Sequence, residues 1–251
     1  MENTIKGVMI GESHTNCVRI FVDNSSEYSD FRVVPSAEIK TISFSEQDKF
    51  EKIGVNCDGI SCLFVSFSGN FHNIFGLFEI PEPIYLVKPN GNTIPANANG
   101  RKFVSRNMLK EHFKINLGSI LNRMKHYRGV FHNSKVFCVC APPPIGDDEY
   151  IRNNSLGFEE QIEKGSQFTP RDLRMAFYKI QTEIYRAYSK QMEIEFIEPP
   201  SDALDEGGFL AERYCAQDAT HGNELYGRLI AEQIRERIDR YSSKAPLSGA
   251  S

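Results

Sequence analysis

The stretch SCLFVSFSG, residues 61–69, decides the fold. It is an unbroken run of apolar and small residues, without the alternation of polar and apolar positions that is typical of a strand with one face in water. A strand buried on both faces belongs to a parallel sheet, because the helices of crossover connections cover both of its faces. The run therefore predicts a central strand of a parallel sheet.

Other apolar runs along the chain predict further strands of this sheet. They are IKGVMIG at 5–11, SKVFCVCA at 134–141 and MEIEFIE at 192–198. The segment at 31–45, FRVVPSAEIKTISFS, contains one or two additional strand-like pieces. Segments 70–102 and 145–168 are predicted as irregular loops, the first with an exposed turn at 89–92.

Segments with helical periodicity lie between the predicted strands. Residues 101–129 predict a long helix that Gly118 breaks or kinks. Thr169-Pro170-Arg171-Asp172 predicts the start of another helix, with Thr169 as its N-cap. A last helix is predicted at about 222–241 from the helical spacing of Leu225, Leu229, Ile234 and Ile238.

Strands that alternate with helices indicate an α/β fold with a parallel sheet covered by helices on both faces. We expect residues 1–242 to form one such domain. The remaining residues, 243–251, are small and polar, and we expect a disordered tail there.

Composition and charge narrow the class of protein. Hydrophobic residues make up 40% and charged residues 25% of the 251 residues, which is ordinary for a globular protein with a full core. A net charge of −4 lacks the basic character of a nucleic-acid binder. No apolar run approaches the roughly 20 residues that cross a bilayer, and the first residues do not resemble a signal peptide. We expect a cytoplasmic protein without a nucleic-acid partner or a membrane span, of undetermined oligomeric state.

The cysteines are predicted to be small buried thiols rather than metal or redox groups. None belongs to a CxxC pair, and Cys138 and Cys140 share one face of a predicted strand. The full set is Cys17, Cys57, Cys62, Cys138, Cys140 and Cys215. The six histidines show no ligand spacing such as HExxH, so we predict neither a metal nor a cofactor.

Chemically useful side chains follow several of the predicted strands. Ser13 follows the first strand, Asn70 follows the central one, and Asp218 and His221 lie in the loop after the last. Ligands of open parallel sheets bind beyond the carboxyl ends of the strands. A nucleophilic serine needs a base, a group that orients the base, and donors for an oxyanion. Singly, each residue is explained as an ordinary cap or turn, but their joint placement favours a catalytic site.

His14 and His72 also lie close to this site in the sequence. We expect each to be a partly exposed loop histidine. The alternative is that either of them binds the substrate.

Three short blocks resemble the motifs of the SGNH/GDSL hydrolase family of esterases and lipases. They are GESHT at 11–15, SGNFHN at 68–73 and DATHGN at 218–223. The resemblance implies a flavodoxin-like, three-layer α/β/α sandwich with a mostly parallel sheet of about five strands. It also implies that Ser13 is the nucleophile, His221 the general base and Asp218 its orienting carboxylate. Asn70 and the backbone N–H of Ser13 would form the oxyanion hole.

The chain departs from the family pattern at three places. Glu12 stands where the family usually has aspartate, and Phe71 follows Asn70 where an aspartate is common. The family's second block supplies a glycine N–H to the oxyanion hole, but the chain has no glycine between Gly11 and Gly54. A non-glycine N–H near 43–45 is one candidate substitute, and an incomplete oxyanion hole is the alternative.

The resemblance implies a serine hydrolase that acts through an acyl-enzyme, on a small acyl ester of a carbohydrate or similar small molecule. Transfer of the acyl group to a sugar hydroxyl is an open alternative, because the same triad serves both reactions. A non-catalytic binding domain that retains the fold is the other.

Overall fold

The computed structural model describes residues 4–40, 50–51, 54–67 and 70–242. The strands in this part of the chain are β1 (Gly7–Gly11), β2 (Phe31–Pro35), β3 (Cys62–Ser66), β4 (Ile84–Val87), β5 (Thr93–Ile94), β6 (Lys102–Phe103), β7 (Lys135–Val139) and β8 (Glu195–Ile197). The α-helices with described bounds are α1 (Asn16–Asp23), α2 (Ser36–Lys40), α3 (Phe71–Gly76), α4 (Arg106–Val130), α5 (Asp148–Asn153), α6 (Glu159–Glu163), α7 (Arg171–Gln191) and α8 (Glu224–Ser242).

Five parallel strands form the main sheet of the described residues, in the order β2-β1-β3-β7-β8. Counted along this sheet alone, the order is 2-1-3-4-5, which is that of flavodoxin-like folds. The expected fold class and the number of strands are confirmed. The smaller sheet, β5-β4-β6, is separate from the main sheet.

The central strand β3 shows why the sheet is covered on both faces. Its five residues are all buried, and it pairs with β1 on one side and β7 on the other. Leu63 and Val65 belong to the core that α4 and α7 cover, whereas Cys62 and Phe64 belong to the core of α1 and α8. Because successive side chains of a strand point to opposite faces of the sheet, β3 contributes to two separate cores. The predicted central strand of a parallel sheet is confirmed.

The closest helix packing lies between α1 and α8. Gly227 of α8 lies directly on the main chain of Cys17, and a Cβ at this position would meet the Cys17 carbonyl group. Only glycine permits so close an approach of two backbones. Of the leucines predicted on the buried face of this helix, Leu225 is 47% exposed, and Tyr226 and Ile230 are buried instead.

Several segments predicted as loops contain regular structure. Residues 70–102 include α3 and the strands β4 to β6, although the turn at 89–92 is confirmed, with Gly91 at a φ of 85°. Residues 145–168 include α5 and α6. Short helices of this kind are stabilised by burial rather than by propensity: Ile151 of α5 is fully buried, and Gly76 of α3 packs on Phe177.

Two helix details were wrong. The helix α4 continues through Gly118, because the buried residues on either side of it outweigh the cost of about 1 kcal/mol for a helical glycine. The N-cap of α7 is Pro170, whereas Thr169 is buried and donates its N–H to the carbonyl of Leu77. Of the one or two strand-like pieces expected in 31–45, β2 is one; residues 36–40 form α2, and 41–45 lie outside the described residues.

All six cysteines are buried and unpaired, as predicted. Burial raises the pKa of the Cys138 thiol to about 12 and that of Cys140 to about 11. Helices with the length and apolar character of a membrane span do not occur in the described part of the chain. The predicted tail, 243–251, and the predicted donor near 43–45 lie outside the described residues.

Candidate active site

Ser13 lies just beyond the carboxyl end of β1. The strand ends at Gly11, and a 3₁₀ turn, Ser13–Thr15, leads directly into α1. Gly11 is needed here because a Cβ would lie 2.7 Å from the carbonyl oxygen of Ser66 on β3. The N–H and the hydroxyl of Thr15 both donate to the carbonyl of Glu12, at 2.9 and 2.7 Å. The exposed hydroxyl of Ser13 is thus presented from a turn that is held at both ends.

The side chains of Ser13, His221 and Asp218 form one hydrogen-bonded series. Nε2 of His221 lies 2.8 Å from Oγ of Ser13, although the two residues are 208 positions apart in sequence. Nδ1 of the same ring lies 3.0 Å from Oδ2 of Asp218. The structure therefore brings together the nucleophile, base and orienting group that the sequence resemblance implies.

Asp218 is fixed by its own loop. Its Oδ1 accepts the backbone N–H groups of Thr220 and His221, both at 2.8 Å. Burial alone would raise the pKa of Asp218, but the hydrogen bonds from the His221 ring and from these backbone groups lower it to about 2. The carboxylate is therefore ionised at neutral pH, which suits it to orient and stabilise a protonated imidazole.

Asn70 directly precedes α3, which follows the central strand. Its Oδ1 accepts a hydrogen bond of 2.6 Å from Nδ2 of Asn73, which is 2% exposed. Because Asn73 occupies the carbonyl end of the Asn70 amide, the NH₂ group is the end that remains to donate. Asn73 was missed in the sequence, where the only hint is its spacing of three residues from Asn70.

Glu12, the residue that departs from the family pattern, pairs with the long helix α4. Its Oε1 accepts a hydrogen bond of 2.7 Å from Arg123, and the guanidinium of Arg123 lies 4.7 Å from the ring centre of Phe67. The pair spans 111 positions, so sequence spacing gave no signal for it. The longer side chain of glutamate thus ties the Ser13 turn to the opposite layer of the sandwich.

His14 and His72 are not the partly exposed histidines that we expected. His14 is 8% and His72 is 1% exposed. The 3₁₀ turn points His14 inward, where its ring centre lies 4.6 Å from that of His221, and His72 packs against Tyr178. Burial lowers the pKa of each to about 3, so both are neutral at pH 7. Contact of either residue with a substrate stays a prediction.

Groups of three or more His, Cys, Asp or Glu side chains that could hold a metal ion do not occur among the described residues. The reactive groups of the site are the serine, histidine and carboxylate described above. This arrangement can activate the hydroxyl of Ser13 for attack on a carbonyl carbon.

Comparison with known proteins gives structural relatives only. No protein-family model and no curated protein sequence matches the chain. It is similar to the structure of a presumed acylhydrolase from Bacteroides fragilis, with a TM-score of 0.52 and 11% identity over 96% of this chain and 89% of that one. This likeness supports the shared fold, which is the one expected from the SGNH/GDSL resemblance.

Two further structures match less closely. One is a GDSL-like lipase from Bacteroides thetaiotaomicron, with a TM-score of 0.47 and 13% identity over 94% of this chain and 88% of that one. The other is the periplasmic domain of a lipopolysaccharide acetyltransferase from Salmonella ser. Paratyphi A, with a TM-score of 0.48 and 11% identity over 94% and 85%. At these scores they add nothing to the fold assignment.

Proposed function

We propose that this chain is an SGNH-type serine ester hydrolase that acts through an acyl-enzyme on Ser13. The observation that carries the proposal is the unbroken series from Asp218 through His221 to Ser13, with distances of 3.0 and 2.8 Å. A serine hydroxyl becomes nucleophilic only when a positioned base accepts its proton, and this series provides the base and its orienting carboxylate.

Acylation follows from this geometry. Oγ of Ser13 attacks the ester carbonyl carbon while Nε2 of His221 takes the hydroxyl proton, and the carbonyl π electrons move to the oxygen. The NH₂ group of Asn70 and the backbone N–H of Ser13 donate to this oxyanion, since the first N–H groups of a helical turn have no partner within it. The tetrahedral intermediate collapses when the ester C–O bond breaks and His221 gives its proton to the departing alcohol.

Deacylation uses the same groups in reverse. His221 takes a proton from water, the resulting hydroxide attacks the acyl carbon, and the proton returns to Oγ of Ser13 as the acid leaves. Asp218 stays ionised throughout and stabilises the imidazolium that forms in each half-reaction.

The substrate that we propose is a small acyl ester of a carbohydrate or similar small molecule. The exposure of Ser13 supports a substrate that approaches from solvent rather than one drawn into an apolar tunnel. The same exposure favours the second candidate, transfer of the acyl group to a sugar hydroxyl, because an alcohol could reach the acyl-enzyme as readily as water. We further propose that the protein acts in the cytoplasm, without a nucleic-acid partner.

A series of p-nitrophenyl esters of increasing chain length tests the proposal, with the Ser13→Ala variant as control. We expect hydrolysis to be fastest for the shortest acyl chains and to vanish in the variant. Adding a sugar acceptor and analysing the products separates hydrolysis from transfer. If a fluorophosphonate fails to label Ser13 in folded protein, the chain is a non-catalytic binding domain instead.

A further inference from the structure

His14 directly follows the proposed nucleophile and packs against the proposed base. The centres of the His14 and His221 rings are 4.6 Å apart, and the ring planes are inclined by 48°. His14 is buried, whereas the side chain of His221 is 27% exposed. One face of the exposed imidazole therefore rests on a side chain that the protein interior holds in place.

The backbone around His14 is immobilised by short-range hydrogen bonds. The thiol of Cys17 donates to the His14 carbonyl at 3.2 Å, and Thr15 is held by the carbonyl of Glu12. Fully buried side chains have few alternative rotamers because their surroundings are close-packed. The ring of His14 therefore has a fixed position against the ring of His221.

The ring of His14 is neutral at pH 7, and its nitrogens make no hydrogen bond to the described residues. Burial is the main reason that its pKa lies at about 3, and the positive charges that His221 and His72 could carry lower it further, against the opposing effect of Asp218. An imidazolium can form on His221 beside a neutral His14 ring, whereas a positive charge on His14 would repel that imidazolium.

His221 needs a fixed neighbour of this kind because its hydrogen bond at Nε2 is made to the reacting hydroxyl of Ser13, and this bond is lost when Ser13 is acylated. Nδ1 interacts with Asp218 and lies 3.2 Å from the hydroxyl of Thr220. Once Ser13 is acylated, contacts at Nδ1 alone leave the ring free to swing about its Nδ1 edge, and this motion would carry Nε2 away from its position beside Oγ of Ser13. A shift of about 1 Å can cost about 100-fold in rate.

We propose that His14 is a positioning residue, whose neutral, buried ring holds the imidazole of His221 in the plane that aims Nε2 at Oγ of Ser13. The inference rests on the proposed function of the triad. It assigns to His14 a role in packing, with no part in proton transfer and no contact with the substrate.

Two substitutions of His14 distinguish a packing role of its ring from a chemical role of its nitrogens. His14→Phe keeps a flat ring without nitrogens, and His14→Leu keeps apolar bulk without a flat ring. We expect kcat for a p-nitrophenyl ester to fall about 10- to 100-fold in His14→Leu, with KM unchanged, and to recover to within about threefold of the parent in His14→Phe. His14→Met provides a second ringless variant if His14→Leu does not fold.

A control for general destabilisation lies in α1, the helix that follows the turn of His14. Val22 is buried in α1 but takes no part in the site, so Val22→Ala is expected to lower Tm without lowering kcat. A ringless variant at position 14 that keeps the parent kcat would overturn the inference. So would a folded His14→Phe that is as slow as His14→Leu, because the nitrogens would then be the active part.

A readout independent of turnover keeps this inference distinct from the proposed function. In side-chain ¹H–¹⁵N NMR spectra of the whole protein, we expect the Nδ1 proton of His221 to exchange slowly in the parent and in His14→Phe, and to broaden in His14→Leu. If the parent hydrolyses no ester but this pattern is seen, the proposed function fails and the positioning role stands. Identical spectra in all three proteins would contradict the positioning role, whatever the activity.

Discussion

At the scale of single residues, Asp218 has the most demanding role. One carboxylate oxygen is held by two backbone N–H groups, which leaves the other for the ring of His221. The loop thereby fixes both the direction of the carboxylate and its charge. Its contribution should appear in the rate of the chemical step and not in substrate binding.

We therefore predict that Asp218→Asn lowers kcat about 10³- to 10⁴-fold with little change in KM, since an amide favours the wrong tautomer of the base. Steady-state kinetics on a short-chain p-nitrophenyl ester checks this, with circular dichroism to show that the variant folds. A loss of less than tenfold would mean that Asp218 does not orient His221.

The Glu12–Arg123 pair is predicted to matter little for stability. Both side chains are about one-third exposed, at 36% and 29%, and exposed ion pairs contribute at most about 1 kcal/mol. The backbone carbonyl of Glu12, and not its carboxylate, holds Thr15. Glu12→Gln should therefore cost about 1 kcal/mol or less in urea unfolding and leave fluorophosphonate labelling of Ser13 intact. Abolished labelling in a folded variant would show that the carboxylate supports the nucleophile directly.

The sequence allowed the candidate residues to be found only where reactive side chains follow a predicted strand. Ser13 and Asn70 lie just beyond predicted strands, the Asp218–His221 pair lies in the loop after the last strand, and the parallel sheet brings these strand ends to one edge. Arg123 could not be found in this way, because its partner is set by how α4 crosses the sheet. The burial of His14 depends on the direction of a single 3₁₀ turn, which no periodicity reveals.

At the scale of elements, the packing of α1 on α8 determines the geometry of the site. The turn that bears Ser13 runs into α1, and α8 begins three residues after His221. Gly227 sets how closely these helices approach, because α8 lies on the main chain of Cys17 there. The contact therefore governs the relative position of nucleophile and base.

We predict that Gly227→Ala destabilises the protein by about 1 to 3 kcal/mol, because the added methyl group meets backbone that cannot move aside. Its kcat should fall as well, since α1 and α8 are forced apart. The matched control is Gly118→Ala on α4, where a Cβ meets nothing within 4 Å and stability should rise by about 0.5 to 1 kcal/mol. Urea unfolding of both variants measures the difference. Equal effects in the two variants would contradict the close-approach explanation.

Most of the strands that the sequence predicted are formed by largely buried, apolar runs. The runs in β1, β3 and β7 are apolar apart from Ser66 and Lys135. The long helix α4 was predicted from its periodicity, and α7 from its start at 169–172. Short elements such as α3 and β5 were missed, because their stability comes from contacts with distant residues and not from their own sequence. The N-cap of α5 is the exception: Asp147 accepts the N–H groups of Glu149 and Tyr150, so this helix start was available in the sequence.

At the scale of the whole molecule, two buried neutral histidines make the fold sensitive to acid. The pKa of His14 and that of His72 are lowered from 6.5 to about 3 by burial. Between these values the unfolded chain binds protons at both positions and the folded chain does not. Stability is therefore full above about pH 6.5 and declines as the pH falls toward 3.

We predict that the two histidines together reduce the free energy of unfolding by up to about 2.7 kcal/mol per pH unit between pH 6 and pH 4. Urea unfolding at pH 7, 6, 5 and 4 measures the slope. In the His14→Phe/His72→Phe double variant the slope should be much smaller. An unchanged slope in that variant would assign the acid sensitivity to other groups.

The sequence separation of 208 positions between Ser13 and His221 has a consequence for how the protein folds during its synthesis. During synthesis Ser13 leaves the ribosome before β2, β3, β7 and β8, whereas His221 follows only after all of these strands. Until α8 docks beside α1, the hydroxyl of Ser13 has no base and stays inert. In the proposed mechanism, reactivity of Ser13 toward a serine-directed probe therefore requires that α8 has docked on α1, and it reports completed tertiary structure.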